Sequence, residues 1–213
     1  CPGNGGISMD AQCVDIKAMD IDGVVRFSKE NSIDLVVVAP DDPLAAGMVD
    51  ALNQEGIMTF GPTKDAAQIE ASKVFSKNLM KEFHIPTAAY EVFDAPAMDH
   101  KRALDGDKGL NTGGMGTIAP NPFYTPEVAQ ECMEKIFKPT VAAMASLGRP
   151  FKGCLYFGLM LTPKGPYVIE YNSRFGDPET QVVLELLDSD LVEIMEAVYN
   201  GTLTEEMVRF SDE

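Results

Sequence analysis

YFGLMLTPKGPYVIEYNSRFGD, residues 156–177, contains two apolar runs that are separated by a short turn sequence. The turn, Thr162 to Gly165, contains proline and glycine, which is typical of a hairpin loop. We therefore expect strands over residues 153–161 and 166–172. Asp177 precedes a proline, so we expect it to act as the N-cap of a following helix.

Two polar side chains at the end of the second strand are candidate metal ligands. Side chains alternate along a strand, so Glu170 and Asn172 should lie on the same face. A carboxylate and an amide oxygen form a hard ligand pair, which suits Mg²⁺ with water and phosphate as its other ligands. Arg174 follows and offers a planar fork for a carboxylate or a phosphate. Spacing alone favours a simpler alternative, a strand end with a solvated glutamate and a capping aspartate.

The first part of the chain alternates between strand and helix patterns. The β-branched run at 33–39 ends at Pro40 and predicts a buried parallel strand. A helix over 43–54 and a second strand over 57–60 follow. This order predicts an α/β fold with a parallel sheet that is covered by helices.

Other segments extend this α/β pattern. We predict a short helix over 21–31, two short helices or one bent helix over 63–83 with caps at Thr63 and Ser72, a strand over 88–93, a helical stretch over 125–147 that is interrupted at Pro139, and a helix that is capped by Ser189 and ends at Asn200-Gly201.

A glycine-rich segment with a local excess of positive charge covers residues 99–116. Lys101, Arg102 and Lys108 stand in a chain that is otherwise acidic, which favours a site for an anionic substrate. Glycines at this density let consecutive backbone amides approach and cradle an anion. A surface loop without a ligand explains the composition equally well.

Candidate residues for nucleotide chemistry are few. Lys73 lies early in a predicted helix, where a lysine can reach a nucleotide phosphate, although most such lysines are only solvated. His84 and His100 suggest no catalytic pair. The sequence has no GxxxxGK[ST] phosphate loop, so phosphate chemistry would require another nucleotide-binding fold.

Composition restricts the function classes. The 213 residues include 33 acidic and 17 basic side chains, with a formal net charge of −16, which argues against general binding of nucleic acid or anionic membranes. No apolar run approaches the ~20 residues of a membrane helix, and the N-terminus lacks signal-peptide features. The four cysteines, at 1, 13, 132 and 154, have no paired spacing, so we expect reduced thiols in a cytoplasmic protein.

Taken in order, these segments resemble one family, the phosphoribosylamine–glycine ligases of the ATP-grasp superfamily. The resemblance covers nearly the whole chain, and its last two segments are the most specific. The matching segments are PGNGGIS (2–8), DLVVVAPDDPLAAGMVDAL (34–52), FGPTKDAAQIEASKVFSK (60–77), IPTAAYEVF (85–93), DHKRALDGDKGLNTGGMG (99–116) and YFGLMLTPKGPYVIEYNSRFGDPETQVVL (156–184).

The resemblance implies a Rossmann-like N-terminal domain followed by an ATP-grasp domain. It also implies ATP-dependent ligation of glycine to 5-phosphoribosylamine through a glycyl phosphate, a step of de novo purine biosynthesis. ATP would be the co-substrate and Mg²⁺, or Mn²⁺, the cofactor. The alternatives are another ATP-grasp carboxylate–amine ligase, or a non-catalytic scaffold that binds a phosphosugar or Mg²⁺.

Residue roles implied by the resemblance fall on matching positions of this chain. Glu170 and Asn172 would be the metal ligands, Lys73 an ATP contact, and Arg174 and Asp177 catalytic contacts near glycine. The substrate contacts would be Gly3, Asn4, Asp41, Pro43, Asp105, Lys108, Asn111, Thr112, Gly113, Gly114 and Met115.

Three segments of the family pattern have no match in this sequence. We expect residues 1–62 to form the N-terminal domain without its first strand, and residues 63–204 to form the ATP-grasp domain without the lid subdomain, at a junction between 97 and 98. Residues 205–213 would begin a connection to a C-terminal domain. Either the sequence omits a lid that the complete protein has, or the lid is deleted, which would retain the fold and remove the ligase activity.

Overall fold

A computed structural model describes residues 1–87, 117–119 and 121–211, together with the backbone of 102–104 and 108–111. The helices are α1 (Ile7–Asp10), α2 (Ile21–Glu30), α3 (Asp41–Ala46), α4 (Met48–Gln54), α5 (Lys64–Ala71), α6 (Lys73–Glu82), α7 (Pro126–Cys132), α8 (Lys138–Ser146), α9 (Glu179–Glu185) and α10 (Leu191–Asn200). The strands are β1 (Leu35–Val37), β2 (Met58–Phe60), β3 (Arg102–Leu104), β4 (Lys108–Asn111), β5 (Tyr156–Thr162) and β6 (Gly165–Asn172). In the part of the chain that these ranges cover, no helix combines the length and the apolar character that a membrane crossing requires.

The first strands form the expected parallel pair, in which Leu35 of β1 is in register with Met58 of β2. The expected burial of this segment is wrong, because β1 covers only Leu35–Val37 and Val37 is exposed. The single helix that we expected over 43–54 is wrong. Gly47 adopts a left-handed φ of 98° and ends α3, and α4 begins at the next residue. The break turns the chain between two helices that contact each other, and α4 also packs against β2.

Of the two alternatives expected over 63–83, the structure has the two short helices, and both have the predicted caps. The Thr63 hydroxyl accepts a hydrogen bond from the backbone N–H of Ala66, and the Ser72 hydroxyl accepts one from the N–H of Phe75. Each cap satisfies an N–H group that has no partner inside its helix.

The predicted hairpin is also confirmed, with β5 and β6 antiparallel and the turn at Thr162–Gly165. The pairing shifts by one residue in its middle, because Gly158 opposes Glu170 whereas Leu159 opposes Val168. This β-bulge leaves Ile169 as the additional residue. Val168 and Tyr171 consequently both face the core, although they are three residues apart.

Four other local predictions need correction. The helical stretch over 125–147 continues through Pro139, and its irregularity is a π-helical turn at Met133–Phe137. A proline lacks the N–H and its ring conflicts with the carbonyl four residues earlier, which explains the wider turn before it. Part of the glycine-rich segment forms the antiparallel pair β3–β4, so the surface loop considered as an alternative for this segment is wrong for the residues of these two strands.

The other two corrections concern caps. Asp177 does not cap α9, which begins after Pro178 without a side-chain cap. Asp190 caps α10 by accepting from the N–H groups of Val192 and Glu193. Ser189, expected in that role, accepts instead from the N–H of Arg209.

Two apolar clusters share one helix. The N-terminal core consists of Val38, Leu44, Met48, Val49, Leu52, Ile57 and Ala67. The hairpin core consists of Ala66, Ile69, Leu79, Met80, Ile85, Ile136, Ala143, Met144, Val168 and Tyr171. Helix α5 supplies Ala67 to the first cluster and Ala66 and Ile69 to the second. Helix α5 is therefore held from both sides. It also carries Glu70, one turn after Ala66.

Candidate active site

The segment after β6 holds a guanidinium group among several acceptors. Arg174 Nη1 donates to the carbonyl oxygen of Phe175 at 3.0 Å, and Nη2 donates to Asn172 Oδ1 at 3.4 Å. Nη2 also lies 3.5 Å from Glu70 Oε1, in an ion pair whose side chains are 26% and 15% exposed. A guanidinium has five N–H donors, so these contacts leave donors for a substrate carboxylate or phosphate.

The proposed metal ligands lie on the face of β6 that points away from the hairpin core. Glu170 is exposed and Asn172 is half-buried, while Tyr171 between them is buried. The β-bulge produces this arrangement, because strict alternation would place Glu170 on the same face as the buried Val168. The expectation that both polar residues share a face is confirmed, and the bulge turns that face outward.

The donor chemistry of this pair fits a small divalent cation. Glu170 supplies a carboxylate, and the Asn172 amide oxygen has a second lone pair beside its hydrogen bond to Arg174. Hard oxygen ligands of this kind suit Mg²⁺, which takes one or two protein ligands and completes its octahedron with water and phosphate. Among the described residues, no group of three or more His, Cys, Asp or Glu side chains offers a rival metal site.

Two cavities flank Asp41, which begins α3. One, of about 610 Å³, is lined by Ala39, Pro40, Asp41, Arg174, Phe175, Gly176, Asp177, Thr180 and Gln181. The other, of about 390 Å³, is lined by Asp41, Asp42, Ala45, Ala67, Glu70, Ala71 and Ser173. The first presents the Arg174 guanidinium together with the carboxylates of Asp41 and Asp177, and the second presents three carboxylates. The site can therefore receive a molecule with groups of both charges.

Aromatic packing fixes the segment after β6 against the N-terminal strands. The rings of Phe175 and Phe60 are stacked, with centroids 5.7 Å apart and planes at 21°. Phe60 is the last residue of β2 and is buried. Asp177 follows on the exposed side, where its carboxylate accepts from the Gln181 amide at 2.8 Å.

Glu70 and Ser173 are site residues that the sequence analysis missed. Glu70 Oε2 accepts from both the backbone N–H and the hydroxyl of Ser173, each at 2.8 Å. A signal was available, because Glu70 lies four residues after Ala66 and therefore places a charge on the apolar face of α5. Such a charge is rare unless it has partners.

The remaining predicted residues either lie apart from Glu70, Ser173 and Arg174 or fall outside the residues that the structure describes. Lys73 is the exposed first residue of α6, Pro43 is buried within α3, and Asn4 Oδ1 accepts from the N–H groups of Gly6 and Ile7 at the start of α1. Gly3, Asn4 and Lys73 do not line either of the two cavities. Lys108 and Asn111 are described only as backbone of β4. Asp105, Thr112, Gly113, Gly114 and Met115 lie outside the described residues, as does the strand expected over 88–93.

Burial changes the acidity of two groups near the site. Burial raises the pKa of the Cys154 thiol to about 11, and the neighbouring Arg174 opposes that rise. Burial likewise raises the pKa of Tyr171 to about 12, partly offset by its hydrogen bond with Thr140. Both groups are therefore neutral at physiological pH. All four cysteines of the chain are free thiols.

Family models identify two domains in this order. Residues 1–70 match the model of the phosphoribosylglycinamide synthetase N domain. Residues 95–180, which contain β6 and Arg174, match the model of the phosphoribosylglycinamide synthetase ATP-grasp (A) domain. The fold and the site thus define an ATP-grasp enzyme with an α/β N-terminal domain.

Individual relatives narrow this class. The chain is 38% identical to a phosphoribosylamine–glycine ligase of Rhodopirellula baltica, over 96% of this chain and 67% of the relative. Its fold matches the crystal structure of phosphoribosylamine–glycine ligase from Thermotoga maritima with a TM-score of 0.73, at 23% identity, over 96% of this chain and 69% of the other. A pyruvate carboxylase from Rhizobium etli matches with a TM-score of 0.63 at 18% identity, over 91% of this chain and 19% of the other. The chain belongs to the phosphoribosylamine–glycine ligase family.

The alignment with the Rhodopirellula baltica protein spans 293 residues, which exceeds the 213 residues of this chain. The relative therefore has residues within the aligned region that have no counterpart here.

Proposed function

We propose that the protein joins glycine to 5-phosphoribosylamine and converts ATP to ADP and phosphate. The observation that carries the proposal is the hydrogen bond between Asn172 and Arg174 beside a cavity that also includes Asp41. Glu170 lies two residues before Asn172 on the same strand. Membership of the ligase family supports the same conclusion. One carboxylate oxygen of glycine would attack the γ-phosphorus and ADP would leave. The amine nitrogen of phosphoribosylamine would then attack the glycyl carbon and expel phosphate.

Arg174 has the geometry to hold the glycine carboxylate during the first step. Its guanidinium is fixed by three acceptors, so its remaining donors have a defined direction. Asp177 lies at the rim of the same cavity, and we assign it a contact near glycine. Because this segment is stacked on β2, a substrate held by Arg174 would also be close to Asp41.

We propose that Glu170 and Asn172 hold Mg²⁺, with Mn²⁺ as a chemically similar substitute. When bound, the ion would neutralise charge on the phosphate oxygens during transfer. Glu170 lies on the exposed face of β6, so phosphates and water could complete the coordination. Asn172 would link the ion to Arg174, because its amide oxygen already accepts from that guanidinium.

The other assignments rest on the family resemblance. We assign an ATP contact to Lys73, and substrate contacts to Gly3, Asn4, Asp41, Pro43, Asp105, Lys108, Asn111, Thr112, Gly113, Gly114 and Met115. We also propose a division near residues 62 and 63 between an N-terminal domain and an ATP-grasp domain. A cytoplasmic location is supported by the four free thiols.

The test is ADP release that requires both glycine and phosphoribosylamine, the latter formed in solution from ribose 5-phosphate and ammonia. Glu170→Ala should lower turnover by about a hundredfold or more, because the stabilisation of charge by a metal ion is worth several kcal/mol. Glu30→Ala, at the exposed end of α2, is the matched control and should retain activity. Full turnover in Glu170→Ala would overturn the metal assignment. ADP release that depends on an amino acid other than glycine would overturn the assignment of glycine as the substrate.

One second candidate has a specific observation in its favour. The relatives have internal residues that are absent here, and an ATP-grasp site without its lid would expose ATP to water. The chain by itself could then be a binding protein for a phosphorylated sugar. Calorimetry with Mg-ATP and with a stable phosphoribosylamine analogue separates the two functions. Binding of the sugar analogue without binding of ATP would favour the scaffold.

A further inference from the structure

Glu70 is a carboxylate in a mostly buried position, far in sequence from the groups that it contacts. Its side chain is 15% exposed. Ser173, which donates both its N–H and its hydroxyl to Glu70 Oε2, is 1% exposed. A buried charge is tolerated only where donors compensate for its lost hydration. The site therefore supplies donors to Glu70, and Glu70 in turn restricts where those donors lie.

The two carboxylate oxygens have different partners. Oε2 accepts the two hydrogen bonds from Ser173, whereas Oε1 faces Arg174 Nη2 at 3.5 Å. Ser173 connects Asn172 to Arg174 along the chain. One side chain thus fixes the backbone between the proposed metal ligand and the proposed substrate contact, and also orients the guanidinium.

Helix α5 gives Glu70 a rigid base. Ala66 and Ile69 are fully buried in the hairpin core, and Ala67 is fully buried in the N-terminal core. Two packed surfaces hold the helix, so the carboxylate cannot easily follow a displaced Arg174. A fixed counter-charge of this kind is what a preorganised anion-binding arginine requires.

We propose that Glu70 is a positioning residue for the ligase reaction, which acts through Arg174 to orient the group that binds glycine. This inference rests on the function proposed above. The role is more than anchoring, because the oxygen that faces Arg174 is not the oxygen that holds Ser173. The two roles can therefore be separated by substitution.

Glu70→Gln is the discriminating variant. An amide oxygen can still accept from Ser173, but the amide NH₂ then faces the guanidinium and removes its counter-charge. We expect the KM for glycine to rise about tenfold, since small misplacements of a positioning group have large effects. The KM for ATP should change less than about twofold. Ser173→Ala is the matched control, because it removes one anchoring hydrogen bond and leaves the ion pair intact.

A second, spectroscopic measurement tests the same role of Glu70 without depending on turnover. The Nε–H signal of Arg174 in an ¹H–¹⁵N spectrum, assigned with Arg174→Lys, reports how firmly the guanidinium is held. Glu70→Gln should shift and broaden this signal, whereas Ser173→Ala should leave it in place. Glu70→Gln added to Arg174→Lys should raise the KM for glycine no further than Arg174→Lys alone.

Three results would overturn the inference: an unchanged Arg174 signal in Glu70→Gln, equal loss of glycine affinity in Ser173→Ala, or effects of Glu70→Gln and Arg174→Lys that multiply. Failure of the proposed function is recognised separately, because the unsubstituted protein would then show no glycine-dependent ADP release. In that case the spectroscopic arm still decides whether Glu70 orients Arg174.

Discussion

Gly158 is the residue that leaves room for the proposed metal ligand on the neighbouring strand. A Cβ atom at this position would lie 2.9 Å from Glu170 Cγ, which is closer than real Cβ contacts allow. Gly158→Ala should therefore displace the Glu170 carboxylate without removing it. We expect the Mg²⁺ concentration for half-maximal activity to rise about tenfold, as for other changes that reorient a metal ligand. The measurement is a Mg²⁺ titration of ADP release.

The control for this prediction is a glycine that bears no relation to the metal. Gly148 has a left-handed φ of 72° and open space where a Cβ would lie. Gly148→Ala should lower stability through backbone strain and leave the Mg²⁺ dependence unchanged. If Gly158→Ala needs no more Mg²⁺ than the unsubstituted protein, the position of the Glu170 side chain does not determine Mg²⁺ affinity, which contradicts its assignment as a ligand.

At the scale of elements, a substitution at Gly47 distinguishes a break between α3 and α4 from one continuous helix, because the two structures predict stability changes of opposite sign. Gly47 has a φ of 98°, and a residue with a Cβ loses about 1–2 kcal/mol in the left-handed region. Gly47→Ala should therefore lower the free energy of unfolding by about that amount. In one continuous helix, the same substitution would instead stabilise by about 1 kcal/mol. Urea denaturation measures the difference.

Elements whose signals are local could be predicted from the sequence. Thr63 and Ser72 cap the helices that follow them because a cap involves only its next three residues. The Thr162–Gly165 turn likewise follows from its own composition. The break at Gly47 was missed, because a glycine within a helical pattern is compatible with both a continuous helix and a left-handed turn.

The parts of the site that could not be predicted depend on distant contacts. Glu70 and Ser173 are 103 residues apart, and no local pattern pairs them. The bulge at Ile169 depends on which residue of β5 opposes Glu170, which the sequence of β6 alone does not specify. Asp41 and Arg174 line one cavity although they are distant in sequence, and the Phe60–Phe175 stack is one of the long-range contacts that hold their segments together.

At the scale of the whole molecule, the shared helix α5 should couple the two cores. Ala67 packs in the N-terminal core while Ala66 and Ile69 pack in the hairpin core. Neither cluster can lose α5 without exposing apolar surface in the other. Because burial of apolar surface is the main stabilising contribution, we expect both cores to unfold in one transition rather than independently.

Matched substitutions in the two cores test this coupling. Leu52 in the N-terminal core and Leu79 in the hairpin core are each at most 1% exposed, and replacing either by alanine should cost about 2–5 kcal/mol. In a coupled molecule, Leu52→Ala accelerates exchange of the slow amides in β6 as well as β2, and Leu79→Ala does the same in reverse. Native-state hydrogen exchange measures both strands in one sample. If Leu52→Ala accelerates exchange in β2 alone, the two cores unfold independently. The contacts of Glu70 with Ser173 and Arg174 would then have to hold the site together without help from cooperative folding.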